Sequence, residues 1–262
     1  MDRKNRNKLI IFLIMTFLLA WGSWIPAFMY PNLSQLSFIG LFAPTISALI
    51  VSGIYDGRKG IFEVLGRYRI LNFSVKWYLV AILLMPVIYL LSIFINELLF
   101  HYSTKNIFIG SPIYFIIVAF IWLMFINSGE EIGWRGFVLP ILLKNSKGTI
   151  LASFILGLIW GIWHLPMYLI PGQSSFPYPL FLILTICLSF IYTALFIRTK
   201  GSLLPAVILH AGTDIGPRIY QQANYTHSVW LTIDIIIVII AMYFTLRQPK
   251  NIDAYLSRIF NN

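Results

Sequence analysis

Three short stretches of this sequence set ionisable side chains inside apolar runs, and their residue types suit hydrolysis. The first is Gly129-Glu130-Glu131-Ile132-Gly133-Trp134-Arg135-Gly136. The second is Trp160-Gly161-Ile162-Trp163-His164-Leu165-Pro166, and the third is His210-Ala211-Gly212-Thr213-Asp214. On a helix, adjacent residues project about 100° apart, so Glu130 and Glu131 cannot enter the same space. Glu131 precedes Arg135 by four residues, the favourable order for an ion pair along one helix face. Glu130 is left without a cation on its own helix, so another helix or water must satisfy it. A carboxylate withheld from bulk water suits a general base working near neutral pH. The competing reading is that both glutamates only staple helices together.

Trp160 and His164 share a face by the same spacing of four, and so do His210 and Asp214. Asp214 is therefore placed to hydrogen-bond beside the His210 imidazole. Gly157 and Gly161 form a small-xxx-small pair that lets a neighbouring helix come close. Taken singly, each His could equally be an interhelical hydrogen-bonder and each pair a packing device. Cys187, the one cysteine, sits in an apolar run with no motif around it and reads as a packed core thiol.

The elements that must carry these groups are membrane helices. Of 262 residues 59% are hydrophobic and only 11% charged, against the roughly 25% charged of a soluble domain. So few charges cannot clothe a water-facing surface, and 43 aromatic residues exclude disorder. The apolar runs are continuous rather than alternating, which argues for an all-α polytopic bundle and against a barrel. Eight spans are expected, at about 9–30, 37–55, 77–100, 112–139, 149–170, 178–197, 202–216 and 229–246. The seventh is short and polar-tipped. No small-x-small cleavage site follows the first, so a removed signal peptide is not expected.

The net charge of +10 could suggest nucleic acid, but the basic residues fall between apolar segments instead of forming one patch. With eight spans, one side receives sixteen of the nineteen Lys and Arg and the other only Lys105 and Arg218, with Arg135 inside a helix. That asymmetry places both termini in the cytoplasm. The link from Asp56 to Lys76 mixes basic and apolar residues and reads either as a helix lying on the headgroups or as a solvated basic loop. The uncharged loop Pro171–Pro179 reads as a turn or cap. Counted from their cytoplasmic ends, Glu130, His164 and Asp214 lie about 21–23 Å along their helices, with Pro140 expected to kink or end the fourth. Three polar groups at one depth point to a shared pocket. Neither internal repeats nor a second hydrophilic domain interrupt 1–262, which reads as a single membrane domain.

Taken together, Glu-Glu-x-x-x-Arg, an aromatic-x-x-x-His and His-x-x-x-Asp on successive helices resemble the CAAX prenyl protease 2 family. Its bacterial members are the CPBP, or Abi, intramembrane metalloproteases, which include bacteriocin-processing and self-immunity proteins. The resemblance covers about residues 110–216, a catalytic core within the bundle. It implies an intramembrane endopeptidase in which Glu130 activates water, Glu131 lies beside it and Arg135 supports the motif. His164, His210 and Asp214 would polarise the scissile carbonyl or hold the oxyanion and the water. Trp134 and Trp160 would line the cavity. Trp160 stands where the family usually has Phe, and Asp214 where prenyl proteases tend to have Asn. The His-Glu-x-x-His zinc signature is missing, yet Glu130, His164, His210 and Asp214 could form a metal site, for zinc or a similar divalent ion. The implied partners are the bilayer and a membrane-associated peptide or protein substrate, with no nucleic acid. Two other readings are a bacteriocin-immunity protein acting by binding, and a transporter using the buried acids as a proton relay. No paired broken-helix repeat supports the last.

Overall fold

The computed structural model describes residues 1–101, 113–145, 148–174, 176–219 and 227–247. They form an all-helical bundle: α1 (Arg3–Met29), α2 (Ser37–Gly66), α3 (Lys76–Phe100), α4 (Ile113–Glu131), a π-helical stretch Ile132–Val138, and α5 (Leu139–Asn145). After these come α6 (Thr149–Trp163), the single turn α7 (Pro166–Leu169), α8 (Tyr178–Arg198), α9 (Leu204–Ile219) and α10 (His227–Leu246). The basic residues Lys105, Lys147, Lys250 and Arg258 lie outside the described residues.

Five helices are long and apolar enough to cross a membrane: Arg3–Met29, Pro31–Arg69, Lys76–Leu99, Ile113–Asn145 and Tyr178–Arg198. The chain is a multi-pass membrane protein. The other three expected spans are helical but shorter. The clearest correction is the fifth, expected over 149–170, because α6 stops at Trp163. Pro166 has no N–H to continue the ladder and crowds the turn before it, so His164 and Leu165 form a turn and α7 restarts. At 1.5 Å per residue, α6 is about 22 Å long, well short of a 30 Å hydrocarbon core. His164 thus caps the broken end of α6.

Pro140 does not end the fourth helix, which continues to Asn145. The adjustment occurs just upstream, where the backbone widens into π geometry and the Leu139 N–H bonds the Trp134 carbonyl, five residues back. Widening before a proline relieves the clash between its ring and the carbonyl of the preceding turn. The link after Asp56 is helical too: α2 breaks at Gly57, whose φ of 62° is open to glycine, and then resumes to Gly66. Lys4 (2.9 Å) and Lys8 both pair with Asp56, tying the start of α1 to this bend in α2.

Glycines set the closest helix contacts. A Cβ on Gly133 would lie 2.4 Å from the Pro44 Cβ and 2.6 Å from the Pro44 backbone, so α2 lies directly on the π stretch. Gly133→Ala therefore forces two backbones apart, and an unfolding titration in micelles is expected to show a loss of about 1–3 kcal/mol. Gly157 and Gly161 do for α6 and α8 what their spacing promises. A Cβ on Gly157 would lie 2.5 Å from the Ile186 Cα, and one on Gly161 would lie 2.6 Å from the Thr185 hydroxyl. Against α9 pack α3 and α4, while α10 covers α3 and α8.

One acid lies apart from the three motifs. Asp234 on α10 is buried, and neither of its oxygens has a hydrogen-bond partner among the described residues. A buried carboxyl left unpaired costs roughly 1–3 kcal/mol. Asp234→Leu, of similar volume, is expected to stabilise the protein by about that amount in the same titration.

Candidate active site

The π stretch begins immediately after the glutamate pair. Widening the helix leaves carbonyls upstream without their usual donor, and the Thr45 hydroxyl of α2 donates to those of Gly129 (2.8 Å) and Ser128 (3.2 Å). α2 thereby pins the turn that presents Glu130 and Glu131. At the broken end of α6, the last carbonyls are also accounted for. The Trp21 indole of α1 donates to the Trp163 carbonyl at 2.9 Å, and the Tyr178 hydroxyl to that of Gly161 at 3.3 Å. The His164 ring takes the Trp160 carbonyl at 2.9 Å through Nδ1.

Glu131 and Arg135 form the ion pair that their spacing predicts, Nη1 to Oε1 at 2.8 Å, with both side chains fully buried. The guanidinium lies against two rings set nearly at right angles to each other, 4.4 Å from the Trp160 centroid and 4.0 Å from that of Tyr192. Stacking of this kind on desolvated rings contributes about 2 kcal/mol or more. The same Glu131 oxygen accepts from His210 Nδ1 at 2.9 Å. Since that oxygen can only accept, Nδ1 carries the proton and Nε2 is the nitrogen left for chemistry. The Trp160 carbonyl, also an acceptor only, likewise places a proton on His164 Nδ1.

Asp214 was expected to bond beside the His210 imidazole along α9. Instead it accepts from the Asn127 amide of α4 at 3.0 Å. The reason is the antiparallel pairing of α4 and α9. Asn127 lies one turn before Glu131, and Asp214 one turn after His210, so Asn127 meets Asp214 where Glu131 meets His210. Sequence reasoning missed Asn127. The signal was there: an amide in an apolar run, four residues from a site glutamate, matching the four between His210 and Asp214.

Glu130 is satisfied by another helix, as its lack of a local cation requires. The Trp160 indole donates to its Oε2 at 2.8 Å. Trp160 also meets both imidazoles edge to face, His210 at 5.5 Å and His164 at 5.8 Å between centroids. Glu130, Glu131, Arg135, His164 and His210 thus gather around one tryptophan, with Asp214 a turn beyond His210. Trp134, expected to line a cavity, is enclosed in the core between Phe12 (5.4 Å) and Trp163 (5.8 Å). Its neighbour Trp163 stands against His164 at 4.6 Å, so Trp134 reaches the site only through another ring.

The donor set Glu130, His164, His210 and Asp214 does not assemble as a metal site. Among the described residues no three His, Cys, Asp or Glu side chains converge to hold an ion. Glu130 turns to Trp160 and Asp214 to Asn127.

Residues 109–216, which include all three motifs, match the family model described as type II CAAX prenyl endopeptidase Rce1-like. A curated relative, the CAAX prenyl protease 2 of Methanococcus maripaludis, is 26% identical over 187 residues, covering 65% of this chain and 67% of that protein. Over residues 109–216, the chain is thus similar to the Rce1-like type II CAAX prenyl endopeptidases.

Proposed function

We propose that this protein is an intramembrane endopeptidase that hydrolyses a peptide bond in a membrane-associated peptide or protein with a water activated by Glu130. The observation that carries this reading is a buried carboxylate and two imidazoles, each held through Nδ1, assembled around Trp160. Glu130 takes a proton from water as the oxygen attacks the scissile carbonyl. His164, with Nδ1–H held by the Trp160 carbonyl, accepts a hydrogen bond from that water through Nε2. His210, held as an imidazolium by its pairing with Glu131, carries a proton on each nitrogen and offers Nε2–H to the oxyanion that forms. Asp214 has one oxygen engaged by Asn127 and uses the other to accept a substrate backbone N–H. Collapse of the tetrahedral intermediate breaks the C–N bond, and Glu130 returns its proton to the departing amine.

Glu131 and Arg135 take no proton in this scheme. Their pair holds His210 in place from below, and Arg135 is itself held by Trp160 and Tyr192. The test is a comparison of membrane proteomes from cells carrying the wild-type protein or Glu130→Ala. An uncut precursor is expected to accumulate in the mutant, and His164→Ala is expected to give the same precursor. Equal processing in all three strains overturns the proposal.

A further inference from the structure

Trp160 touches Glu130, Arg135, His164 and His210, and it engages two of them through two different polar groups. Its indole N–H donates to Glu130 Oε2 at 2.8 Å, and its main-chain carbonyl accepts the Nδ1–H of His164 at 2.9 Å. Its ring face carries Arg135 at 4.4 Å, and its edges meet His164 and His210. The side chain is almost wholly buried, so the indole N–H has no water to turn to, and the carboxylate it serves is buried with it.

An indole has a single donor and no acceptor. It can therefore hold one carboxylate oxygen by a directed bond without competing for the proton that Glu130 must receive. The bond occupies Oε2 and leaves Oε1 as the oxygen that faces water. We infer that Trp160 is a positioning residue for the reaction: its indole N–H fixes which oxygen of Glu130 acts as base, and its carbonyl fixes which nitrogen of His164 faces the same water. This inference rests on the proposed function for its catalytic consequence, but the hydrogen bond itself can be read without turnover.

The decisive variant replaces Trp160 with 3-benzothienylalanine, introduced by amber suppression into the full-length protein in nanodiscs. This residue keeps the ring's size, stacking and main-chain carbonyl, and lacks only the N–H. Turnover of an internally quenched, farnesylated CAAX peptide is expected to show kcat reduced about 10- to 100-fold with KM within about twofold, since a hydrogen bond to a charged group is lost and no substrate contact is. Trp160→Phe is expected to lose at least as much. Unchanged kcat in the benzothienyl variant overturns the inference. A purely packing role predicts that result.

A second measurement separates this inference from the proposed activity. The infrared carboxyl band of Glu130, isolated by subtracting the spectrum of Glu130→Gln, is expected to shift when the indole N–H is removed. A wild-type protein that leaves the peptide uncut, yet shows the shift, counts against the proposed reaction on that substrate and for the hydrogen bond. An unmoved band overturns the positioning role, whatever the peptide does.

Discussion

Glu130→Gln is expected to yield a folded, inserted protein that cleaves its substrate about 10²–10⁴-fold more slowly than the wild type, the range contributed by a positioned general base. The amide is the sharp substitution here because of what it preserves. Its carbonyl oxygen still accepts from the Trp160 indole, so the α4–α6 contact at 2.8 Å survives. Shape and volume are kept as well. Only the capacity to take a proton is removed. The loss is expected in kcat, and the mutant's unfolding midpoint in micelles is expected to stay within the scatter of the wild type. A mutant that is slow only because it is unstable would contradict this account, and so would one that cuts at the wild-type rate.

Arg135→Ala is expected to act through stability, at about 3–5 kcal/mol, the cost of leaving one partner of a buried ion pair alone. Both members of the pair are fully enclosed, so no water can replace the lost guanidinium. The gap opens beside Trp160 and Tyr192, whose rings both lie against the guanidinium. His210 would be left as the one partner of Glu131 among the groups described. Arg135→Lys is expected to recover only a small part of the loss. An ammonium carries the charge but has no planar fork to stack on a ring. Denaturant unfolding of both variants in the same micelle checks this directly. A lysine variant as stable as the wild type would show that charge alone is required.

The sequence alone determined the all-helical membrane character, the identity of the polar motifs and the pairings made along a single helix. Those pairings follow from one local rule, the return of a face after about one turn. Glu131 with Arg135, the shared face of Trp160 and His164, and the small face of Gly157 and Gly161 are all of this kind. The same rule was right that Glu130 needs a partner from elsewhere, though it named none. It failed where it assigned Asp214 to His210, since the pairing that wins there runs between helices.

Only the tertiary structure decided which groups face one another. Composition does not say how far a helix is rotated about its axis, and that rotation selects Asn127 for Asp214 and Trp160 for Glu130. Backbone irregularity adds a second reason. The π stretch at Ile132–Val138 and the break at His164 both change the angular step on which a helical projection depends. Each arises where a proline meets close packing, at Pro140 with α2 pressed against Gly133 and at Pro166 with α1 supplying Trp21. Motif identity is a property of the chain. The registry between helices is settled by which faces can approach closely while pairing the buried polar groups of the site.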